Sequence, residues 1–178
     1  MPQAVTHILI VIVLVSLIRD YFIKDKKKFP LHYVLIAGLG GLLPDIDIAL
    51  FWILHFFGYS FDSVHRTFTH TLFFPLVFLL LGFIFWRVRI RGLGKHHLKL
   101  HTIFLMIGLG VFIHLILDVT LSGGVRPLYP FIFAGYGLNL VSLLPEPLEK
   151  IALPCLDAAL LVLWLVYLEV KHKISEFV

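Results

Sequence analysis

The chain has 178 residues, of which 60% are hydrophobic and only 15% are charged, with a mean hydropathy of +0.97. This composition excludes an ordinary soluble globular domain and is typical of a protein that lies within a lipid bilayer. The formal net charge is +4, and the single cysteine excludes both an internal disulfide and a cysteine-ligated structural zinc site.

Five apolar runs follow one another along the chain. A helix needs about 20 mostly apolar residues to cross about 30 Å of hydrocarbon, and each run is of this order. We therefore predict an all-α, polytopic membrane protein with about five transmembrane helices, folded as one membrane-embedded domain over residues 1–178. The second run contains Pro44 and is expected to be broken, or to continue as a short extra helix at the membrane surface. The runs are residues 4–23, 31–59, 69–86, 102–121 and 151–170.

The basic residues predict the topology. They cluster at residues 19–28, 87–100 and 171–173, after the first, third and fifth runs. Under the positive-inside rule these segments are cytoplasmic, which places the N-terminus outside and the C-terminus inside an inner (plasma) membrane. Because topology accounts for the positive charge, membrane lipids are the expected surroundings and no nucleic-acid partner is expected.

Ionisable side chains inside the runs are candidates for a functional site, because each costs a few kcal/mol to insert into a membrane. We counted the height of each one above the cytoplasmic end of its run, at a rise of about 1.5 Å per residue. Four runs carry their histidines and aspartates to the same outer third of the bilayer, at heights of about 18 to 24 Å. These residues are His7, Asp45, Asp47, His70, His114 and Asp118.

Their spacing favours a metal site. His114 and Asp118 are four residues apart, so they share one helical face and can bind the same cation. Imidazole and carboxylate together suit zinc, manganese or iron. His65 is expected to precede the third helix, with Thr67 or Thr69 capping its start. Two alternatives stay open for Asp157, which either joins this group or pairs two helices.

These residues fall in four ordered motifs, and through them the chain resembles the YdjM-like family of inner-membrane-associated metal-dependent hydrolases. The motifs are an early histidine at 7, GLLPDID at 41–47, HRTFTHTL at 65–72 and HLILDVTLSGGVRPLYPF at 114–131. Ile48 stands where family members often have histidine, and Thr67 where they commonly have glycine. The resemblance implies a membrane-embedded hydrolase whose metal ligands are His7, Asp45, Asp47, His65, His70, His114 and Asp118.

Seven ligands exceed the needs of one tetrahedral zinc and fit two nearby ions better, so we expect one or two divalent transition-metal ions, zinc before manganese or iron. Asp47 is predicted as a catalytic bridging carboxylate. Arg66 is predicted as a catalytic and substrate-binding residue that grips a phosphate oxygen. Arg126 either adds a second substrate contact or anchors a lipid headgroup. The hypothesis is hydrolysis of a phosphoester in a lipid or lipid-linked substrate at the outer face.

Two alternatives use the same ligands. In a transporter they would form a transit site, but the spans below the group are almost purely apolar. In a regulatory protein the metal would be structural; some members of the family are labelled LexA-binding, and the basic loop 87–101 could bind a cytoplasmic partner. A metalloprotease is disfavoured because the sequence contains no H-E-x-x-H motif.

Overall fold

The structure is a computed structural model that describes residues 4–87 and 98–173. These residues form helices and no strand, which confirms the predicted all-α class. The predicted basic loop at 87–101 falls largely outside them. The helices are α1 (Ala4–Tyr21), α2 (Leu31–Gly40), α3 (Ile46–Leu54), α4 (Phe61–Val64), α5 (Phe73–Trp86), α6 (Leu100–Leu117) and α7 (Glu146–His172), with short helical turns at His55–Phe57, Phe68–His70, Asp118–Ser122 and Leu140–Leu143.

Three helices of the described residues are long and apolar enough to cross a membrane, fewer than the five predicted from the apolar runs. They are α1, α6 with the turn that extends it to Ser122, and α7. The second predicted span divides into α2, of 10 residues, and α3. The third begins at Phe73 rather than at residue 69, and its 14 residues rise only about 21 Å.

Prolines and glycines mark these breaks. α2 follows Pro30 and ends at Gly40, with Gly41 as its C-cap, and Pro44 lies in the turn before α3. Proline lacks the N–H that a continuing helix would need, so the chain bends after α2, just before the predicted ligands Asp45 and Asp47. Pro75 lies in the first turn of α5, where helical N–H groups have no intrahelical partner in any case.

Helix α6 is the centre of the packing. It contacts α5, α2 and α1, whereas α7 packs mainly on α1. The buried core lies between α1 and α2 and consists of aliphatic side chains only. Most other large apolar side chains face outward, as lipid surroundings require, and α7 is only 6% buried across its most apolar stretch. The core residues are Val11, Ile12, Val15, Val34 and Ala37.

Glycines allow α2 and α6 to touch at the backbone. A Cβ atom built on Gly110 would lie 2.1 Å from the carbonyl oxygen of Ala37, and one on Gly40 would lie 2.6 Å from that of Ile107. Small residues at a membrane helix crossing permit this close approach and the dispersion contacts that follow from it. The crossing brings the C-terminal end of α2 next to His114.

Polar side chains tie α1 to α7 at both ends. Thr6 donates a hydrogen bond to Asp157, so Asp157 pairs two helices, one of the two alternatives that the sequence left open. At the other end the buried carboxylate of Asp20 accepts a hydrogen bond from the Tyr167 hydroxyl at 2.5 Å and lies 2.9 Å from Nε2 of His172. Arg19 contacts the same carboxylate at 2.7 Å.

Candidate metal centre

The folded chain brings the seven predicted ligands into one group, called the polar cluster from here on: His7, Asp45, Asp47, His65, His70, His114 and Asp118. They come from α1, the bend before α3, the first turn of α3, the segment between α4 and α5, the end of α6 and the turn that follows it. Donor atoms of six of them form three groups in which all atoms lie within 4.8 Å of one another. These groups are His7, Asp45 and His114; Asp45, His65 and His70; and His70, His114 and Asp118.

Two histidines and two aspartates lie together at the centre of the contacts. The Nε2 atoms of His70 and His114 are 3.3 Å apart. Asp118 Oδ2 lies 3.4 Å from the first of these nitrogens and 3.7 Å from the second. Asp45 Oδ1 lies 3.6 Å from both. Asp118 and Asp45 thus each place one oxygen near both nitrogens, in a place where both histidines are fully buried.

Hydrogen bonds on the far side of each ring fix which nitrogen faces these oxygens. Nδ1 of His114 lies 2.7 Å from the carbonyl oxygen of Gly41, which only accepts, so Nδ1 carries the proton. Nδ1 of His70 lies 3.2 Å from Asp47 Oδ2 and is assigned the proton for the same reason. With both rings neutral, the two Nε2 atoms are lone-pair acceptors 3.3 Å apart, and either a shared proton or a bound cation satisfies both of them.

His65 repeats this arrangement beside the first two histidines. Its Nδ1 lies 2.8 Å from Asp47 Oδ1, while its Nε2 is buried and has no hydrogen-bond partner among the described residues. A buried nitrogen without a partner costs free energy unless a ligand satisfies it. The chemistry of the donor set and this orphaned nitrogen fit a bound metal ion.

His7 closes the cluster from α1. Its ring stacks on that of His114 with centroids 3.8 Å apart, and its Nε2 lies 3.6 Å from Asp118 Oδ1. Its Nδ1 is a second buried nitrogen without a hydrogen-bond partner among the described residues. His7 thus lies beside the His114–Asp118 pair and shares a donor group with Asp45 and His114.

Asp47 differs from the other six, because its carboxylate oxygens are already engaged. Oδ1 pairs with His65, and Oδ2 accepts hydrogen bonds from the backbone N–H of Arg66 at 3.1 Å and from the Thr69 hydroxyl at 2.8 Å. It also lies beside Nδ1 of His70. The sequence predicted a bridging carboxylate at this position, whereas the structure places Asp47 behind two histidines, with Asp45 shared between two of the three donor groups.

Arg66 lies at the edge of the cluster in a left-handed backbone conformation, with φ of 59°. Its Nη1 donates to the Gly123 carbonyl at 2.7 Å and its Nη2 to the Ser122 hydroxyl at 2.6 Å, while Nη2 lies 3.5 Å from Asp118 Oδ1. A non-glycine residue at positive φ is strained by about 1 kcal/mol or more and persists where surrounding contacts hold it. The Nε atom is buried and has no hydrogen-bond partner among the described residues.

A cavity of about 580 Å³ opens onto the cluster, called the site cavity here. Arg66 is among the described residues that line it, and Arg126 is not. Ile48, where family members often have histidine, lines its wall, so that part of the wall is apolar in this chain. The other lining residues are Ala4, His7, Leu42, Asp45, Ala49, Trp52, His65 and Asp118.

Sequence reasoning missed several polar partners. Thr67 and Thr69 do not cap a helix: the Thr67 hydroxyl donates to the Val64 carbonyl at 2.7 Å, and that of Thr69 donates to Asp47. Ser122 was also missed, although it follows the HxxxD pair by only four residues. Asp118 begins a single π-helical turn that ends at Ser122, and such turns are frequent at functional sites.

A comparison with family models gives one match. The model described as YdjM inner membrane protein matches residues 1–174. No curated protein and no solved structure matches the chain.

Proposed function

Because the chain belongs to the YdjM inner membrane protein family, we propose that it is a membrane-embedded, metal-dependent hydrolase that cleaves a phosphoester of a lipid or lipid-linked substrate. The polar cluster is the reaction centre in this proposal. It faces the outer side of the inner membrane, with the N-terminus outside and the C-terminus cytoplasmic, as the distribution of basic residues predicts.

One observation carries the proposal: the spacing of three donor atoms, on His70, His114 and Asp118. Metal–ligand bonds of about 2.0–2.1 Å in tetrahedral geometry put neighbouring donor atoms about 3.3–3.4 Å apart. The three contacts among Nε2 of His70, Nε2 of His114 and Oδ2 of Asp118 run from 3.3 to 3.7 Å. Asp45 Oδ1 lies 3.6 Å from both nitrogens. Nitrogen and oxygen donors at this spacing suit zinc first, with manganese or iron as alternatives.

The two orphaned nitrogens support a second ion. His7 and His65 each belong to a donor group that includes Asp45, so Asp45 is the carboxylate available to both sides. This replaces Asp47 in the bridging role. Bound metal ions would activate a water molecule and stabilise the attacking and leaving oxygens of a displacement at phosphorus.

The remaining roles fall to residues around the donors. Asp47 orients His65 and His70 by accepting from their Nδ1 atoms, which is the usual outer partner of a metal-binding histidine. Arg66 steadies Asp118 through its Nη2 atom and keeps its Nε–H available to a phosphate oxygen in the site cavity. The second arginine, Arg126, stays an untested candidate for headgroup contact.

The packing beneath the cluster favours a one-sided reaction site over a transporter. Val11 and Val15 follow His7 along α1 and are fully buried against Val34 and Ala37 of α2. An ion that left the cluster in this direction would lose its polar ligands in an apolar core, at a large desolvation cost.

The first experiment is to purify the protein in detergent without chelator and to measure bound metals by elemental mass spectrometry. We expect one to two equivalents in the wild type, loss of metal in a folded His114→Ala, Asp118→Ala double variant, and metal-dependent release of phosphate from lipid phosphoesters. Full metal content and activity in Asp118→Ala would overturn the assignment. Metal that is bound and needed for folding, with no hydrolysis of any phosphoester screened, would favour the structural alternative.

A further inference from the structure

A second cavity lies beside the first, between α2, the bend before α3, and α6. Its volume is about 560 Å³, within the usual range of small-molecule sites, and we call it the apolar cavity. Its walls are aliphatic except for one carboxylate, that of Asp45. Ile36, Leu39 and Leu43 form one side, and Ile103 and Ile107 form the other.

The apolar cavity runs along α6 toward the polar cluster. Ile103, Ile107 and His114 lie at i, i+4 and i+11, within about 40° of one another around the helix axis. The distance from Ile103 to His114 along the axis is about 16 Å. The cavity wall and a histidine of the cluster therefore share one face of α6, and Gly110 packs against α2 between them.

Two residues belong to both cavities. Leu42 and Asp45 line the apolar cavity and the site cavity alike, so the two spaces meet at the carboxylate that the donor groups share. The apolar cavity is also open to the bilayer, because Leu39 is 63% and Ile46 is 58% exposed at its rim. A molecule could reach it sideways from the lipid without crossing a polar surface.

We propose that the apolar cavity binds the hydrocarbon chain of the substrate, so that a single-chain lipid phosphate lies with its chain along α2 and α6 and its phosphate at Asp45. This inference rests on the proposed function and adds the substrate class, a phosphoester attached to a long hydrocarbon chain. An aliphatic channel gains binding free energy with each methylene group that it buries. Specificity for the chain therefore comes from Ile103 and Ile107 rather than from the polar cluster.

The test uses full-length protein in nanodiscs made of diether phosphatidylcholine, so that bulk lipid chains compete at every lipid-facing surface. The probe is hexadecyl phosphate that carries a photoreactive diazirine near the middle of its chain, and labelled residues are mapped by mass spectrometry. We expect labels within residues 36–46 and 103–107. Excess hexadecyl phosphate should remove them, and butyl phosphate should not. Labels spread over the exposed face of α7, or unaffected by the competitor, would overturn the inference.

A matched pair of variants makes the test specific. Ile107→Trp fills the apolar cavity and should lower labelling roughly tenfold. Ile116→Trp changes the same residue type on the opposite, 46% exposed face of α6 and should leave labelling unchanged. Equal labelling of both variants would overturn the inference, and the wild-type map stands as a test even where a variant folds poorly.

The outcome separates this inference from the proposed function. Labelling of the apolar cavity by the probe does not require hydrolysis, and bound metal is measured on the same samples. Competed labelling with no hydrolysis would keep the chain site and reject the enzyme. Hydrolysis with intact metal content but scattered labels would keep the enzyme and reject the chain site.

Discussion

The carboxylate of Asp47 is fully engaged in hydrogen bonds, although the residue belongs to none of the three donor groups among the described residues. It accepts from the His65 ring, the Arg66 backbone and the Thr69 hydroxyl, and it lies beside the His70 ring. A residue of this kind fixes tautomers and ring orientations. We infer that Asp47 acts through the histidines rather than on the substrate.

The first prediction concerns this positioning role. Asp47→Asn should weaken metal affinity by roughly 10- to 100-fold, the usual cost of removing an outer partner, while the number of ions bound at saturation stays the same. Metal titration of the chelated protein measures both quantities. Asp25→Asn is the control, because Asp25 is an exposed carboxylate paired with Lys28. A loss of stoichiometry in Asp47→Asn would instead make Asp47 a direct ligand.

The second prediction concerns Arg66. Arg66→Lys keeps the positive charge but cannot make the paired contacts to Gly123 and Ser122, so we expect inorganic phosphate to bind roughly tenfold more weakly. Metal content should stay at the wild-type level. Isothermal titration with phosphate measures the first effect and elemental analysis the second. Arg126→Lys serves as the comparison, and an equal loss in both variants would argue against a special role for Arg66.

The sequence predicted most of the cluster, because the depth of a residue in the membrane follows from its position along a helix. His7, Asp45, His70, His114 and Asp118 share a height when each apolar run is measured from its basic end. The sequence could not predict which nitrogen of each histidine ring faces the other donor atoms. That choice depends on the Gly41 carbonyl and on Asp47, whose positions are set by the bend at Pro44.

Among the contacts between helices, the crossing of α2 and α6 leaves no room for a larger side chain at Gly110 or Gly40. The Cβ that alanine would add at Gly110 meets the Ala37 carbonyl oxygen and the backbone of Gly40 and Gly41, none of which can rotate away. The third prediction is that Gly110→Ala lowers the free energy of unfolding by about 1–3 kcal/mol, because the added methyl group overpacks the crossing. Thermal unfolding in detergent, followed by circular dichroism, measures it.

Gly135→Ala is the control for this crossing. A Cβ at Gly135 meets nothing closer than 3.9 Å, and the residue has no positive φ. Its melting temperature should therefore match that of the wild type. If Gly110→Ala melts at the same temperature as the control, α2 and α6 do not pack as closely as the structure shows.

At this scale the sequence predicted which segments are helical better than how long each helix is. Hydropathy gives the length of an apolar segment, but it does not show where the backbone bends within it. The run at 31–59 divides at residues 41–45, where Pro44 lies. The run at 69–86 gives its first residues to a separate turn at Phe68–His70, since Thr69 and His70 contact Asp47 instead of joining α5. For α5, polar residues of the site are therefore those that shorten the helix.

For the whole molecule, the orientation in the membrane is a prediction from the basic residues, because the fold does not define which end faces the cytoplasm. We predict that cysteine introduced at Glu146, in a Cys155→Ser background, reacts with a membrane-impermeant maleimide added to intact spheroplasts. Cysteine introduced at Lys27 should react only after permeabilisation, because the basic segment 19–28 is expected to be cytoplasmic. The reverse pattern would place the cluster on the cytoplasmic side.

Metal removal gives the last prediction. An ion that binds only the folded protein stabilises it by about 4 kcal/mol at a concentration 1,000 times its dissociation constant. Chelation should therefore lower the melting temperature of the wild type, and restoring zinc should recover it. The His114→Ala, Asp118→Ala double variant should melt at one temperature with or without chelator. A wild type that is insensitive to chelation would speak against a tightly bound ion.

The hydrogen bond from His114 to the Gly41 carbonyl has a consequence for mutational robustness. It starts in the cluster and ends at the closest helix crossing, so a substitution there disturbs cation binding and folding together. In a random variant library, changes around Gly41 and Gly110 would be lost as unfolded protein before any catalytic defect could be scored. Variants that separate the two properties should come from Asp45, whose side chain is 17% exposed where both cavities meet.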